Sequence, residues 1–376
     1  MKPPPIPFVD LKAQHERLKS RIEARVAAVL EHCRFVLGPE VAEFEAELAR
    51  FAGSAHAIAI SSGTDALLIA LLAEGIGAAD AVFVPAFSFA ATAGAVVAAG
   101  AEPVFVDVDP RSFNIDPRDL ERRIAGVGAE GRLHPRAIIA VDLFGLPADY
   151  PALDAVAERH GLFLLADAAQ SFGATLAGAR VGRLAPATAT SFYPTKPLAC
   201  YGDGGALLTD DPERAARMRS IRVHGQGEND SDIVRPGING RLDTLQAAIL
   251  LAKLEVFADE LAARESLAST YDGNLEDVVT VPARIPETER SWAVYAILVD
   301  ERDRVRNALA RDGIETTIYY PRPLSLQPAF ERFGEGPGAL PVSERLSERI
   351  LCLPIYPYMG QENARRICEA VARALR

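Results

Sequence analysis

Apolar positions along this chain change their period several times. Residues 11–34 place apolar side chains at helical spacing, with charges of both signs between them. The next stretch, GPEVAEFEAELARFAG, keeps that spacing, with a proline near its start and a glycine just past its end, as helices prefer. The pattern then alternates. HAIAIS is a short continuous apolar run, and SGTDALLIALLAEG after it has helical spacing and a glycine stop. AVFVPAF, EPVFVDVD, AIIAVDLFG and LFLLADAAQ read as buried strands, with the helix-like YPALDAVAERHG between the last two. Apolar strands separated by helices predict an α/β fold, a mainly parallel sheet with helices on both faces.

From about residue 241, RLDTLQAAILLAKLEVFADELAARESLASTYDGNL is one long helical pattern that leads out of the sheet. Beyond it, SWAVYAILVD, RDRVRNALARDG and ENARRICEAVARALR predict a compact α/β unit. A chain of 376 residues is too long for one small core. The expected division is a large domain over residues 1–250, including the N-terminal helical segment, and a small domain over 251–376.

Charge and composition then narrow the function. The formal charge of −11 argues against broad nucleic-acid or anionic-membrane binding, since both need a positive field. Cys33, Cys200, Cys352 and Cys368 are scattered without a C-x-x-C pair, which suits a reducing cytoplasm and not a disulfide framework. The six histidines show no metal spacing, so no metal is expected. MKPPPIPFVDLKAQHERLK has prolines where a signal peptide would carry its apolar core. No run of about 18 apolar residues is present to span a bilayer.

Parallel sheets take ligands at the C-terminal ends of their strands, so polar residues there are the candidates. Asp167 ends LFLLAD, and a carboxylate behind four apolar residues is costly unless it is paired. Read alone it is as readily a helix N-cap. Gln170 lies three residues on. Ser62-Gly63-Thr64, between a strand and a helix, would make an anion cradle, or merely a capped turn. Ser191 ends another apolar stretch, five residues before Lys196. A lone lysine is ordinarily a surface residue. Lys196, however, sits in SFYPTKPLACYGDGG, with Pro194 and Pro197 restricting the backbone and Gly202, Gly204 and Gly205 allowing tight turns after it. A lysine held in a dry pocket loses its proton more easily, and the neutral amine can form an imine. An anion cradle, a carboxylate and a constrained lysine are what pyridoxal phosphate requires. PAFSFAAT offers an aromatic face for its ring, with Phe89 the candidate and Phe87 assigned to the core.

From FVDLKAQ and LGPEVAEFE to LPIYPYM, the chain resembles the sugar aminotransferases of the DegT/DnrJ/EryC1/StrS family. The resemblance is carried by SSGTDAL, ADAAQSFGA, SFYPTKPLACYGDGGAL, HGQ, GINGRLDTLQAAIL and YYPRPL, in the family's order. It implies a fold-type I, aspartate-aminotransferase-like pyridoxal 5'-phosphate enzyme. It implies that Lys196 binds the cofactor's aldehyde and shuttles the proton, that Asp167 partners the pyridine nitrogen, and that Gln170 touches the phenolic oxygen. Gly63, Thr64 and Ser191 match phosphate ligands. Asn239 matches a residue that reaches the neighbouring subunit's cofactor, which implies a homodimer with shared active sites. Arg241, Tyr319 and Tyr320 resemble residues near the sugar nucleotide or the amino donor.

The chain departs from the family at Ala166, where many relatives carry Glu, and at Ser325 in PLSLQ, where many carry His. Lysine at 196, in place of the histidine of dehydratase relatives, implies transamination. The motifs are most similar to aminotransferases that use L-glutamate and UDP-2-acetamido-2-deoxy-3-oxo-glucuronate to make precursors of bacterial surface polysaccharide. Arg241 and Arg322 are the candidate cations for the uronate carboxylate. A dTDP- or GDP-linked 3- or 4-keto-deoxysugar is the alternative substrate. A nicotinamide dehydrogenase would need G-x-G-x-x-G after its first strand, and GDGGA at 202–206 follows no opening strand. A non-enzymatic regulator on the same fold would be expected to add a DNA-binding helix pair or a basic arm, and neither is present.

Overall fold

The computed structural model describes residues 4–229 and 231–376, so the first three residues of the N-terminal stretch lie outside it. Helices α1 (Leu11–His32) and α2 (Pro39–Ala52) lead into β1 (His56–Ile60). Helix and strand then alternate through α3 (Gly63–Ala73), β2 (Asp80–Pro85), α4 (Ala90–Ala98), β3 (Glu102–Val106), α5 (Pro117–Glu130), β4 (His134–Val141), α6 (Tyr150–His160) and β5 (Phe163–Asp167). A short ribbon, β6 (Thr175–Leu176) and β7 (Ala179–Arg180), precedes β8 (Ala187–Ser191) and β9 (Gly205–Thr209). Helices α7 (Pro212–Arg222), α8 (Thr244–Leu254) and α9 (Phe257–Leu275) follow. The C-terminal part holds β10 (Thr288–Glu289), which joins the ribbon, then β11 (Tyr295–Leu298), α10 (Arg302–Arg311), α11 (Pro341–Arg349), β12 (Ile350–Leu353) and α12 (Gln361–Leu375).

The main sheet has seven strands in the order β1-β9-β8-β5-β4-β2-β3. Only β9 runs against its neighbours. Both faces are covered. In β1, Ile58 and Ile60 join the cluster under α3, α4 and α7, while Ala57 and Ala59 face α2 and α8. This two-sided burial is why the strands are continuous apolar runs. GALLT, which forms β9, is as apolar as the parallel strands of the sheet, so its reversed direction leaves no mark on composition.

The helical pattern from about 241 forms two helices, not one. The chain breaks at Glu255–Val256, where Val256 takes φ −112° and ψ 1°. Phe257 is buried in the cluster beneath α2 and α8, whereas Leu267, Tyr271 and Leu275 pack with β11, β12 and α12. The break lets one segment serve two cores. It carries no glycine or proline, so periodicity alone runs through it. We propose a division into a large and a small unit with this break as the junction. Ile6 belongs to the second core by packing, and it pairs with Ile314.

Candidate active site

The ends of β1, β2, β4, β5 and β8 converge on a cavity of about 380 Å³. Its walls include Gly63, Thr64, Phe89, Asp167, Gln170, Ser191, Lys196, Tyr319 and Tyr320. Nine of the residues singled out from sequence therefore meet in one place.

The lysine is held by its flanks. The Lys196 N–H donates to the Tyr193 carbonyl at 2.8 Å, closing a turn in which Pro194 occupies the second position. On either side, buried Phe192 donates its N–H to Gly204 O at 2.7 Å and accepts from the Cys200 N–H at 2.8 Å. The lysine thus projects from a loop pinned to the sheet at both ends. Its ammonium makes no hydrogen bond among the described residues, and burial pushes its pKa down while Asp167 opposes the shift.

Asp167 is buried at the end of β5. Its Oδ1 accepts from the Ala169 N–H at 3.2 Å and its Oδ2 from the Thr92 hydroxyl at 3.1 Å. Burial pushes its pKa up; the Ala169 N–H, Lys196 and the Thr92 hydroxyl pull it down. Gln170 is clamped: its Oε1 accepts from the Phe144 N–H at 2.7 Å, and its Nε2 donates to the Tyr320 hydroxyl at 3.1 Å. Across the site, α3 begins at Gly63 with Ser62 as its cap, and its first intrahelical bond runs from Ala66 N to Ser62 O. The Gly63 and Thr64 N–H groups precede that bond, and both residues line the cavity together with Ser191. A Cβ on Gly63 would stand 2.6 Å from the Ser191 Cβ, so only glycine fits here without a shift. Phe89 is 58% exposed with its ring centroid 6.3 Å from that of Tyr320, whereas Phe87 is in the core, as expected.

The residues suit pyridoxal phosphate. A helix N-terminus with free N–H groups and small residues accepts a phosphate. A buried carboxylate sits beside an ammonium that has no hydrogen-bond partner among the described residues, and aromatic rings flank the space. The chain belongs to the DegT/DnrJ/EryC1/StrS aminotransferase family. The family model matches residues 16–372. The chain is 42% identical, over 97% of its length and 99% of the other protein's, to the UDP-2-acetamido-2-deoxy-3-oxo-D-glucuronate aminotransferase of Pseudomonas aeruginosa. It superposes with TM-score 0.97 and 49% identity on a DegT DnrJ EryC1 StrS aminotransferase from Brucella abortus, covering 98% of this chain and 99% of that one. A Bacillus subtilis relative, ntda with bound cofactor PMP, matches at TM-score 0.89 and 30% identity, covering 100% of this chain and 86% of that one. The protein is thus an aminotransferase of fold type I, and its cofactor is pyridoxal phosphate.

Three residues named from sequence lie elsewhere. Asn239 is exposed and pairs with Val223, Arg241 pairs with Ile60, and Arg322 is exposed; none lines the cavity of its own chain. Ser325 is buried and faces a separate hollow beside Arg332. Conversely, Ser88, Thr92, Phe8 and Val9 line the cavity without having been singled out. Thr92 lies in the low-information string AAT, and Phe8 comes from a segment far off in sequence. Asp142 directly follows β4, much as Asp167 closes β5, yet it lies outside the cavity. Its carboxylate accepts from Ser171, Tyr150 and the Ala148 N–H, and burial pushes its pKa up to about 7.

Gly63→Ala is expected to weaken cofactor binding by about 1–3 kcal/mol through overpacking against Ser191. A titration of apoprotein with pyridoxal phosphate measures this, and an unchanged Kd would separate Gly63 from the phosphate site.

Proposed function

We propose that this protein transfers an amino group from L-glutamate to a keto sugar nucleotide, UDP-2-acetamido-2-deoxy-3-oxo-D-glucuronate, giving a 3-amino sugar for bacterial surface polysaccharide. The observation that carries the reading is the meeting of Lys196, Asp167 and the α3 N-terminus in one cavity. The full-length likeness to the Pseudomonas aeruginosa enzyme supports the substrate.

When bound, pyridoxal phosphate supplies an aldehyde and a ring that takes up electrons from a substrate carbon. The rest is the work of this chain. The Gly63 and Thr64 N–H groups and the Ser191 hydroxyl hold the phosphate. Asp167 keeps a proton on the ring nitrogen, and Gln170, fixed by Phe144 and Tyr320, orients the ring's oxygen. Phe89 would offer an aromatic face to the ring. Lys196 Nζ is the amine that would hold the cofactor's aldehyde. Its lowered pKa makes it an effective base, which takes the Cα proton of glutamate and later returns a proton to the sugar carbon. Tyr319 and Tyr320 form the substrate side of the cavity.

We further propose a homodimer acting in the cytoplasm. Asn239 and Arg241 lie on the chain segment after α7, away from their own cavity, where a second copy would present them to its partner's site. That would place Asn239 at the phosphate and Arg241 near the uronate. Among the described residues, no helix is long and apolar enough to cross a membrane.

The test begins with glutamate, which should bleach the coloured holoenzyme. Adding UDP-2-acetamido-2-deoxy-3-oxo-D-glucuronate should restore the colour. If that uronate fails while a dTDP-linked 4-keto-6-deoxy sugar succeeds, the substrate assignment is overturned.

A further inference from the structure

The carboxylate of Asp167 is not alone at the end of its strand. Thr92, in the first turn of α4, donates its hydroxyl to Asp167 Oδ2 at 3.1 Å, and Ser88 Oγ lies 3.1 Å from Thr92 Oγ1. Both are buried, at 1% and 3% exposure. The direction of the chain follows from valence. An ionised carboxylate only accepts, and a hydroxyl carries one hydrogen. The Thr92 hydrogen is therefore committed to Asp167, and Ser88 must donate to Thr92. With the Ala169 N–H on the other oxygen, each carboxylate oxygen has one donor, which fixes the plane of the group.

We infer that Thr92, oriented by Ser88, is a positioning residue for the reaction: it keeps Asp167 anionic and turned into the cavity. The inference rests on the reading of Asp167 as partner of the ring nitrogen. A hydrogen bond to the charged form favours that form. Burial pushes Asp167 towards its neutral state, and the groups opposing this are the Ala169 N–H, Lys196 and Thr92. The other ionisable groups within electrostatic reach are Asp142, Tyr150 and Tyr320. None of these three donates a hydrogen bond to the Asp167 carboxylate among the described residues. Without the Thr92 hydroxyl, Asp167 should take up a proton at higher pH.

Thr92→Val keeps the shape and removes the donor; Thr92→Ser keeps the donor. In the Val holoenzyme the acid limb of kcat/KM is expected to move up by about one pH unit, the scale of a hydrogen bond to a charge. The absorbance titration of the bound cofactor should move with it, and the Kd of apoprotein for pyridoxal phosphate should rise. The Ser variant should stay near wild type in all three readouts. A wild-type acid limb and titration in Thr92→Val would overturn the inference. So would equal loss in both variants without a shift, because that outcome reports packing alone. Asp167→Asn, run in parallel, separates the two levels: if it leaves the rate intact, the ring-partner reading itself fails, whatever Thr92 does.

Discussion

Lys196→Ala should lose turnover by more than about 10⁴-fold, the upper range for a positioned general base. Three properties converge on this amine. Its loop is tied to the sheet through Phe192 and Cys200, so the nitrogen arrives in the cavity without a flexible search. Burial lowers its pKa, which raises the fraction of neutral amine available to attack an aldehyde or take a proton. Among the described residues, nothing else in the cavity wall offers a second amine. The variant should fold with an unchanged thermal midpoint, since the ammonium makes no hydrogen bond among the described residues. It should also release pyridoxal phosphate on dialysis far more readily. Steady-state assay and gel filtration of the reconstituted variant measure both effects. Turnover within tenfold of wild type would remove Lys196 from its role.

Asp167→Asn should lower kcat by about 10²–10³-fold, the range for removing one preorganised electrostatic group. The amide matches the carboxylate in shape; its oxygen can still accept from Thr92, while its NH2 gives up the weak bond from the Ala169 N–H. It carries no charge, so it cannot hold a proton on a ring nitrogen. The structural outcome has the opposite sign. Asp167 keeps its charge at a desolvation cost, and the neutral amide avoids that cost. The thermal midpoint of the apoprotein is therefore expected to hold or rise while activity collapses. Loss of fold together with loss of activity would instead make Asp167 a structural residue.

Much of this could be read from the chain because its chemistry sits at strand ends. FLLAD stops at Asp167, and the switch from apolar run to polar residue marks where that strand leaves the core; ATATS, with buried Thr188 and Thr190, marks its end at Ser191 less sharply. The same signal misleads at Asp142. AIIAVD ends in the same way, but that carboxylate is spent on Ser171, Tyr150 and the Ala148 N–H. What distinguishes the two is neighbours distant in sequence, which no local pattern contains. Thr92 escaped notice for a related reason: a threonine among alanines at a helix start looks like a cap, and only the tertiary fold brings its hydroxyl to Asp167. The break at Val256 was hidden because both cores ask for the same helical period. Asn239 and Arg241 stand apart from the cavity of their own chain, and their positions in the sequence carry no sign of that.

The chain has five lysines, and among the described ones burial pushes the pKa down at two, Lys196 and Lys253. Lys253 is nearly fully buried and its pKa is pushed down to about 8, yet it lies over the Tyr201 ring at 4.3 Å and outside the cavity. Borohydride reduction of the holoenzyme, followed by proteolysis and mass spectrometry, tells them apart. The account predicts one pyridoxyl adduct, on Lys196 in the peptide containing SFYPTK, and none after glutamate has bleached the enzyme. An adduct on Lys253, or no adduct from a fully coloured protein, would contradict it.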